Sequence, residues 1–352
     1  MATGENKNLL MKVEGHHPLN FEKYKDIMET PKIVGFYSYD YNKFEPSKYI
    51  KYFKEPKSSS YPLNLNGGEW IPCQNGQSDT RLHIPLTYAM TIDDSINQPN
   101  VKTTNVYTGR RVLTQLMEYC YSIHDDTIFV TRHNGNLYMT SLVYRHTPPH
   151  MHHKRLEQLL FTDSPDEEPQ PDKPIDFNKT LSCLHRTNMG KFSIFYAGDV
   201  QGIISDKKLD NLNDMDMLNQ CRFVFTKQLW TTQKKEHILQ RYWVQSRLSN
   251  IDDIYIAYKD CSGVVNNPIE HLKTSELPEV YNNFKPEICF GFLYEFLENV
   301  ENLMSNVNSL DTVYEFNLKP KEKTVIYKIH EGKTDNTFIP KYYAEFVNKA
   351  NK

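Results

Sequence analysis

Residues 191–204 (KFSIFYAGDVQGII), 221–230 (CRFVFTKQLW) and 240–248 (QRYWVQSRL) decide how this chain folds. The first two are dense in aromatic and β-branched residues, the composition of half-buried strands. The first predicts one long strand, Phe192–Ala197 and Val200–Ile204, interrupted at Gly198-Asp199; the second predicts a strand over Cys221–Leu229. The third falls in a helix predicted over Lys234–Leu248. Ile238, Leu239, Tyr242, Trp243 and Val244 form its broad apolar face, and Lys234, Lys235, Arg241 and Arg247 lie outside it. Together the three place Asp199 at a break in a strand, Lys227 on a second strand and Gln245 on the helix that follows.

Working outward, the chain is strand-like from Ile33 to Tyr41, and Ser58–Gly68 is a loop by composition. A helix is predicted over Val106–Tyr121, where Val112, Leu116 and Tyr119 recur at helical spacing. Asp126–Arg132 and Asn136–Val143 form a hairpin across His133-Asn134-Gly135, because Asn-Gly favours the tight turn. Ile254–Lys259 is a further strand, Pro286–Met304 a long helix, and Thr312–Leu318 with Thr324–His330 a final antiparallel pair. Residues 1–30 are expected to be a loosely ordered arm. Thr162–Pro174 (TDSPDEEPQPDKP) is acidic, Pro-rich and nearly free of apolar residues, so it is expected to be a mobile loop. No internal repeat and no linker-like break after Lys179 is visible. The fold class is therefore α+β: a single large domain over residues 31–348, built on mixed and antiparallel sheets with flanking helices.

Composition narrows the function classes. The 352 residues carry 41 Lys+Arg against 44 Asp+Glu, a net charge of −3, so any nucleic-acid site must be a local basic patch. No run of about 18 apolar residues occurs, and a transmembrane helix is excluded. The six cysteines (Cys73, Cys120, Cys183, Cys221, Cys261 and Cys289) make no C-x-x-C pair and are expected to be reduced, which points to an intracellular protein, nuclear or cytoplasmic. Gly-x-Ser-x-Gly and phosphate-loop patterns are absent. His146, His150, His152 and His153 (HTPPHMHH) invite a metal, but Pro148 and Pro149 oppose a helix that would align them, and a solvated loop is expected.

Asp199, Lys227 and Gln245 carry the chemistry. Nucleases place carboxylates at strand ends to hold Mg²⁺ or Mn²⁺, with a Lys two residues beyond one of them to stabilise developing negative charge. Here Phe225 stands where that acid would be. By itself this pattern is generic.

The order of the segments is more specific. The chain resembles the DXO family of decapping exoribonucleases nearly end to end. The likeness runs through IVGFYSYDYNKFEPSKYIKYFKEP, NVYTGRRVLTQLM, HNGNLYMTSL, RYWVQSRLSNIDDIYIAYKDCSGVV, FKPEICFGFLYEFL and TFIPKYYAEFV. The resemblance implies a deep pocket for the 5′ end of an RNA and metal-dependent removal of incomplete or non-canonical caps, with 5′→3′ degradation. In some members it also implies a partner 5′→3′ exoribonuclease; neither DNA nor a membrane is implied. Carried over by residue, the family's Arg before Gly becomes Thr108. Arg110, two positions along the predicted helix, points about 200° away. The family's helical Gly-x-x-x-Glu falls near Asp163 and Glu167, so the metal ligands implied are Asp199 and Glu167. Glu-x-Asp becomes Asp199-Val200-Gln201, Glu-x-Lys becomes Phe225-Thr226-Lys227, and Gln245 matches a substrate-placing glutamine.

With Thr108, Gln201 and Phe225 replacing charged groups, the resemblance implies a binder of RNA 5′ ends whose catalysis is weakened or lost. The rival is an active hydrolase using Asp199 with Glu167, Asp206 or Asp214 and Mg²⁺ or Mn²⁺; a third reading is an interaction scaffold. Arg110, Arg111, Lys207, Lys208 and Lys234 are the candidate contacts to the RNA backbone.

Overall fold

The computed structural model of the chain describes residues 8–13, 21–38, 43–46, 50–71, 82–92, 103–141, 151–176 and 181–350. The elements around the site are strands β1 (Thr104–Gly109), β2 (Ser182–Met189), β3 (Phe192–Asp199), β4 (Phe223–Trp230) and β5 (Asp253–Lys259). With them go helices α1 (Arg110–Glu118), α2 (Met151–Leu160), α3 (Glu236–Arg247) and α4 (Pro286–Leu303). Among the described residues the larger sheet has ten strands. Its order is Asn8–Lys12, Thr324–His330, Ser309–Lys319, Asp126–His133, Asn136–Ser141, β1, β3, β2, Lys32–Ser38 and Lys43–Phe44. An eight-stranded sheet runs Phe161–Thr162, Tyr52–Phe53, Gly202–Ile203, β4, β5, Val264–Val265 and Leu63–Asn64, and Glu270–Lys273 pairs with β5 off that path. The α+β class and mixed sheets are as expected. No described helix is long and apolar enough to cross a membrane.

Strand β3 shows why the larger sheet is covered on both faces. Alternation sends Phe192, Ile194 and Tyr196 into a core shared with α1, α3 and α4. Phe195 and Ala197 go into a second core with residues of His83–Ile92 and Lys341–Ala350. A third cluster, with Ile33, Cys183, Ile203 and Phe225, draws on strands of both sheets.

Three expectations need correction. The stretch Val106–Tyr121 is not one helix: Thr104–Gly109 pairs in parallel with β3, Val106 opposite Ile194, and the helix begins only at Arg110. Val112, Leu116 and Tyr119 do share its buried face, but the β-branched and aromatic run before Gly109 is drawn into the ladder. The stretch Phe192–Ile204 is not one strand either. β3 runs through Asp199, and after Val200-Gln201 the chain enters the other sheet at Gly202. A Cβ at Gly202 would collide with the Lys51 carbonyl and the Phe161 ring, so only glycine allows this close approach. Finally, the segment taken for a loose arm contributes to the fold where it is described. Asn8–Lys12 pairs with Thr324–His330, and Phe21, Tyr24 and Met28 are buried, the first two against Gly291 of α4. Its residues 1–7 and 14–20 lie outside the described residues.

The Asn134-Gly135 hairpin forms as expected, with φ of 48° and 77°; Val143 is outside the described residues. Residues 163–174 hold neither helix nor strand. The described cysteines Cys120, Cys183, Cys221, Cys261 and Cys289 are unpaired, and Cys73 is not described.

One buried charge cluster ties the second sheet together. Asp253 is 1% exposed and accepts from Arg222 Nε and Nη2 (2.5 and 2.6 Å), His271 Nε2 (2.6 Å) and Lys273 Nζ (2.8 Å). Burial pushes its carboxyl up, but these donors outweigh burial and hold it well below the usual carboxylate range. The stabilisation is therefore fully present above the unfolded carboxylate pKa of about 4 and is lost progressively as pH falls from there through the much lower pKa of the folded state. Asp253→Asn should cost about 3 kcal/mol in urea unfolding at pH 7, and much less at pH 2. Equal losses at both pH values would show that the charge is not responsible.

Candidate functional site

A cleft of about 560 Å³ opens at the C-terminal ends of β1 and β3. Gly109, Ala197, Gly198 and Asp199 line one end, α1 forms a wall, and Arg241 and Gln245 of α3 project from the side. Arg110, the first residue of α1, reaches inward. Its Nη1 donates to the Asp199 carbonyl (2.8 Å) and to Ser249 Oγ (2.6 Å), and its guanidinium lies 5.4 Å from the centre of the Phe225 ring. Gly198 leaves room for it, since a Cβ there would come within 3.2 Å of the guanidinium. Arg110 was expected to point away, but that geometry assumed a helix running through Thr108. Thr108 lies in β1, fully buried, with Oγ1 donating to the Met139 carbonyl (3.1 Å). The arginine that reaches Asp199 is therefore Arg110.

Asp199, at the end of β3, accepts from Ser182 Oγ (2.7 Å). Lys227 projects from β4 and donates to Gln245 Oε1 (2.7 Å), so these two of the three predicted residues are in contact. The ammonium also sits 4.6 Å from the Phe225 ring centre and 5.2 Å from that of Tyr242. Burial, with Arg110 adding repulsion and Glu157 opposing both, pushes the Lys227 pKa down to about 7.

Gln201 works as a clamp. Its Oε1 accepts from the Thr226 amide (2.5 Å), and its Nε2 donates to the Thr226 carbonyl (3.4 Å) and to Glu157 Oε1 (2.8 Å). Glu157, on α2, is the carboxylate that sequence reasoning missed. His153 Nε2 lies 3.0 Å from its Oε1, and Lys154 Nζ lies 2.8 Å from its Oε2. Burial raises the Glu157 carboxyl, yet Lys154 and His153 outweigh it and hold it well below the usual range. His153-x-x-x-Glu157 has the spacing of the helical Gly-x-x-x-Glu pattern, with His where that pattern has Gly. The available signal was a helix start just after Pro148-Pro149, where α2 begins at Met151.

The other expected residues sit elsewhere. Glu167 is exposed in the acidic loop; it lines a second, smaller pocket together with Glu157 and is not among the residues that line the cleft. Asp206, Lys207 and Lys208 are exposed on the loop before β4, and Asp214 caps a short helix by accepting from the Met217 amide (2.9 Å). Lys234 is exposed on the turn after β4, whereas Arg111 lines the cleft. His152 and His153 are helical rather than in a loop, and His152 pairs with Lys259 (3.0 Å); His146 and His150 lie outside the described residues. Among the described residues, no three His, Cys, Asp or Glu side chains converge as a metal site would require.

Two sheets joined at Asp199, with Lys227 on the strand beside them, match a known architecture. The model of the RAI1-like PD-(D/E)XK nuclease family matches residues 29–344. The chain belongs to this family. Among its relatives, Drosophila melanogaster "Protein cutoff" is 26% identical over 125 residues, 35% of this chain and 32% of that protein. The decapping nuclease RAI1 of Emericella nidulans is 22% identical over 171 residues, 46% of this chain and 45% of that protein. The chain thus spans less than half the length of these curated relatives. The crystal structure of Candida albicans Rai1 in complex with pU5-Mn²⁺ shares the fold, with a TM-score of 0.68 at 16% identity, covering 92% of this chain and 96% of that one.

The depressed Lys227 pKa is directly measurable. In the NMR spectrum of protein carrying ¹³C-labelled lysine, one side chain should titrate with a midpoint near 7, and that signal should vanish in Lys227→Met. If every lysine titrates above 10, the ammonium is not desolvated as the contacts require.

Proposed function

We propose that this chain binds the 5′-terminal phosphate of RNA and holds it without metal-dependent hydrolysis. The observation that carries this is the occupation of the positions where metal ligands would stand. Gln201 is bound to the Thr226 backbone, Phe225 presents a ring, and both oxygens of Glu157 are engaged by Gln201, His153 and Lys154. A hard divalent cation takes about six oxygen ligands and prefers carboxylates. Among the described residues, Asp199 at the end of β3 is itself engaged by Ser182, and this donor set does not fit Mg²⁺ or Mn²⁺. The cationic and amide groups are retained: Arg110, Lys227 and Gln245 remain together. A phosphate suits them, because it restores charge balance to an ammonium now held by an amide and two aromatic rings.

A second reading has one observation in its favour. Glu157 brings to the site a carboxylate that the sequence had seemed to lack, so an active hydrolase would use Asp199 and Glu157 after the contacts to Gln201 and Lys154 open. One experiment separates the two: short 5′-phosphorylated RNA is followed by anisotropy and mass spectrometry with and without Mn²⁺. Equal binding in both conditions and no shortened RNA are expected. Mn²⁺-dependent products that disappear in Glu157→Gln would establish the hydrolase instead.

Two further outcomes follow from the site's charges. Phosphate favours the protonated form of Lys227, so affinity should be highest below pH 7 and fall as pH rises through it. Lys227→Met should weaken binding by about tenfold or more and remove that pH dependence. Restoring acids with Gln201→Asp and Phe225→Glu should create a calorimetrically detectable Mn²⁺ site absent from the parent protein. A doubly substituted protein that folds but takes up no Mn²⁺ would show that the lost carboxylates are not what excludes the metal.

A further inference from the structure

The cleft extends well beyond Asp199. Helix α1 forms its wall from Arg110 to Glu118, a rise of about 12 Å. At the far end Gln115, Glu118, Asp126 and Arg241 face the same cavity as Asp199 and Gln245. About 560 Å³ lies within the range of small-molecule sites and is the right scale for one nucleotide rather than a length of RNA.

The two ends of the cleft differ chemically. The near end has Arg110, the N-terminus of α1 and Gln245, which Lys227 contacts from behind the lining, a set suited to an anion. At the far end, Arg241 donates twice from Nε (3.0 and 3.1 Å) and once from Nη2 (3.0 Å) to Glu118, which occupies both oxygens of that carboxylate. Asp126 is different. One oxygen accepts from Gln115 Nε2 (2.6 Å), and the other has no hydrogen bond among the described residues. Burial pushes the Asp126 carboxyl up, while Gln115, Arg111 and Arg241 favour its ionised form. Gln115 Oε1 is also buried without a partner, so this end has acceptors to spare.

An ionised carboxylate only accepts hydrogen bonds. Guanine alone among the common bases offers two adjacent donors, its N1–H and its 2-amino group. Adenine would set its N1 lone pair against the carboxylate, and uracil offers a single N–H. We propose that the far end of the cleft reads the nucleobase of the 5′-terminal nucleotide, with Asp126 accepting from the N1–H and amino edge of guanine. Gln115 is then a positioning residue that holds the carboxylate. This selectivity rests on the 5′-end reading above and adds a base preference to it.

Calorimetric titration of the full chain with guanosine, inosine, adenosine and uridine 5′-monophosphates tests it. Guanosine monophosphate should bind about tenfold or more tighter than adenosine monophosphate, the discrimination typical of a good bidentate base contact. Inosine, which keeps N1–H and lacks the amine, should fall between them. In Asp126→Ala the guanosine-to-adenosine ratio should collapse to about twofold or less, with adenosine binding retained. The inosine comparison needs no variant, so a failure of Asp126→Ala to fold does not remove the test. Equal affinities for all four nucleotides, or inosine no better than adenosine, would overturn the base-reading role and leave 5′-phosphate binding standing. No binding of any nucleotide would overturn both.

Discussion

One side-chain amide governs how the two sheets meet. After Asp199 the chain leaves the larger sheet, and Gln201 binds both the N–H and the C=O of Thr226 before the next strand begins at Gly202. An amide can do this because it carries a donor and an acceptor on separate atoms, whereas a carboxylate would leave the Thr226 carbonyl facing an acceptor. Each such bond contributes about 1 kcal/mol net, but leaving the buried strand edge unsatisfied would cost more. Gln201 thereby continues the hydrogen-bonding of β4 along the edge opposite β5, beyond the pairing of Gly202–Ile203 with Phe223 and Val224. The second Nε2 hydrogen then falls to Glu157, which couples α2 to the same point.

The charges around Lys227 follow from that arrangement. Glu157 is held by Lys154 and His153 as well as Gln201, so it acts on Lys227 as a nearby charge and not as a direct partner. The ammonium rests on an amide oxygen and two aromatic faces, a weaker substitute for a carboxylate. A lysine so placed is costly in the empty protein and favourable once an anion arrives. These groups therefore suit recognition of an anion. Helix α1 extends this logic, because a cleft that begins with Arg110 and ends with Asp126 has a cationic end and an acceptor end along one wall.

Much of this was legible residue by residue. The Asn134-Gly135 turn, the long apolar helix Pro286–Leu303 and the strand Thr324–His330 were read from periodicity and turn chemistry, and the order of the segments pointed to the family. Lys227 and Gln245, read onto a strand and the helix after it because both segments have strong patterns, are in contact. The misreadings concentrate at the junctions of elements. A β-branched run beside an amphipathic helix was absorbed into the helix, which turned Arg110 the wrong way. Glu157 of α2 was missed, because the His- and Pro-rich approach to the helix concealed where it starts.

What the sequence alone determined is the α+β class, the apolar faces and the uncharged side chains at Gln201 and Phe225, since residue identity and local period depend on no distant neighbour. What only the tertiary structure decided is which groups share the cleft. Arg110 reaches Asp199 across 89 positions of chain, and Gln201 reaches Glu157 across 44. Such pairings depend on where a strand stops and which sheet the chain enters next. Here that was decided by a one-residue matter of space at Gly202, against Lys51 and Phe161, which no local pattern records.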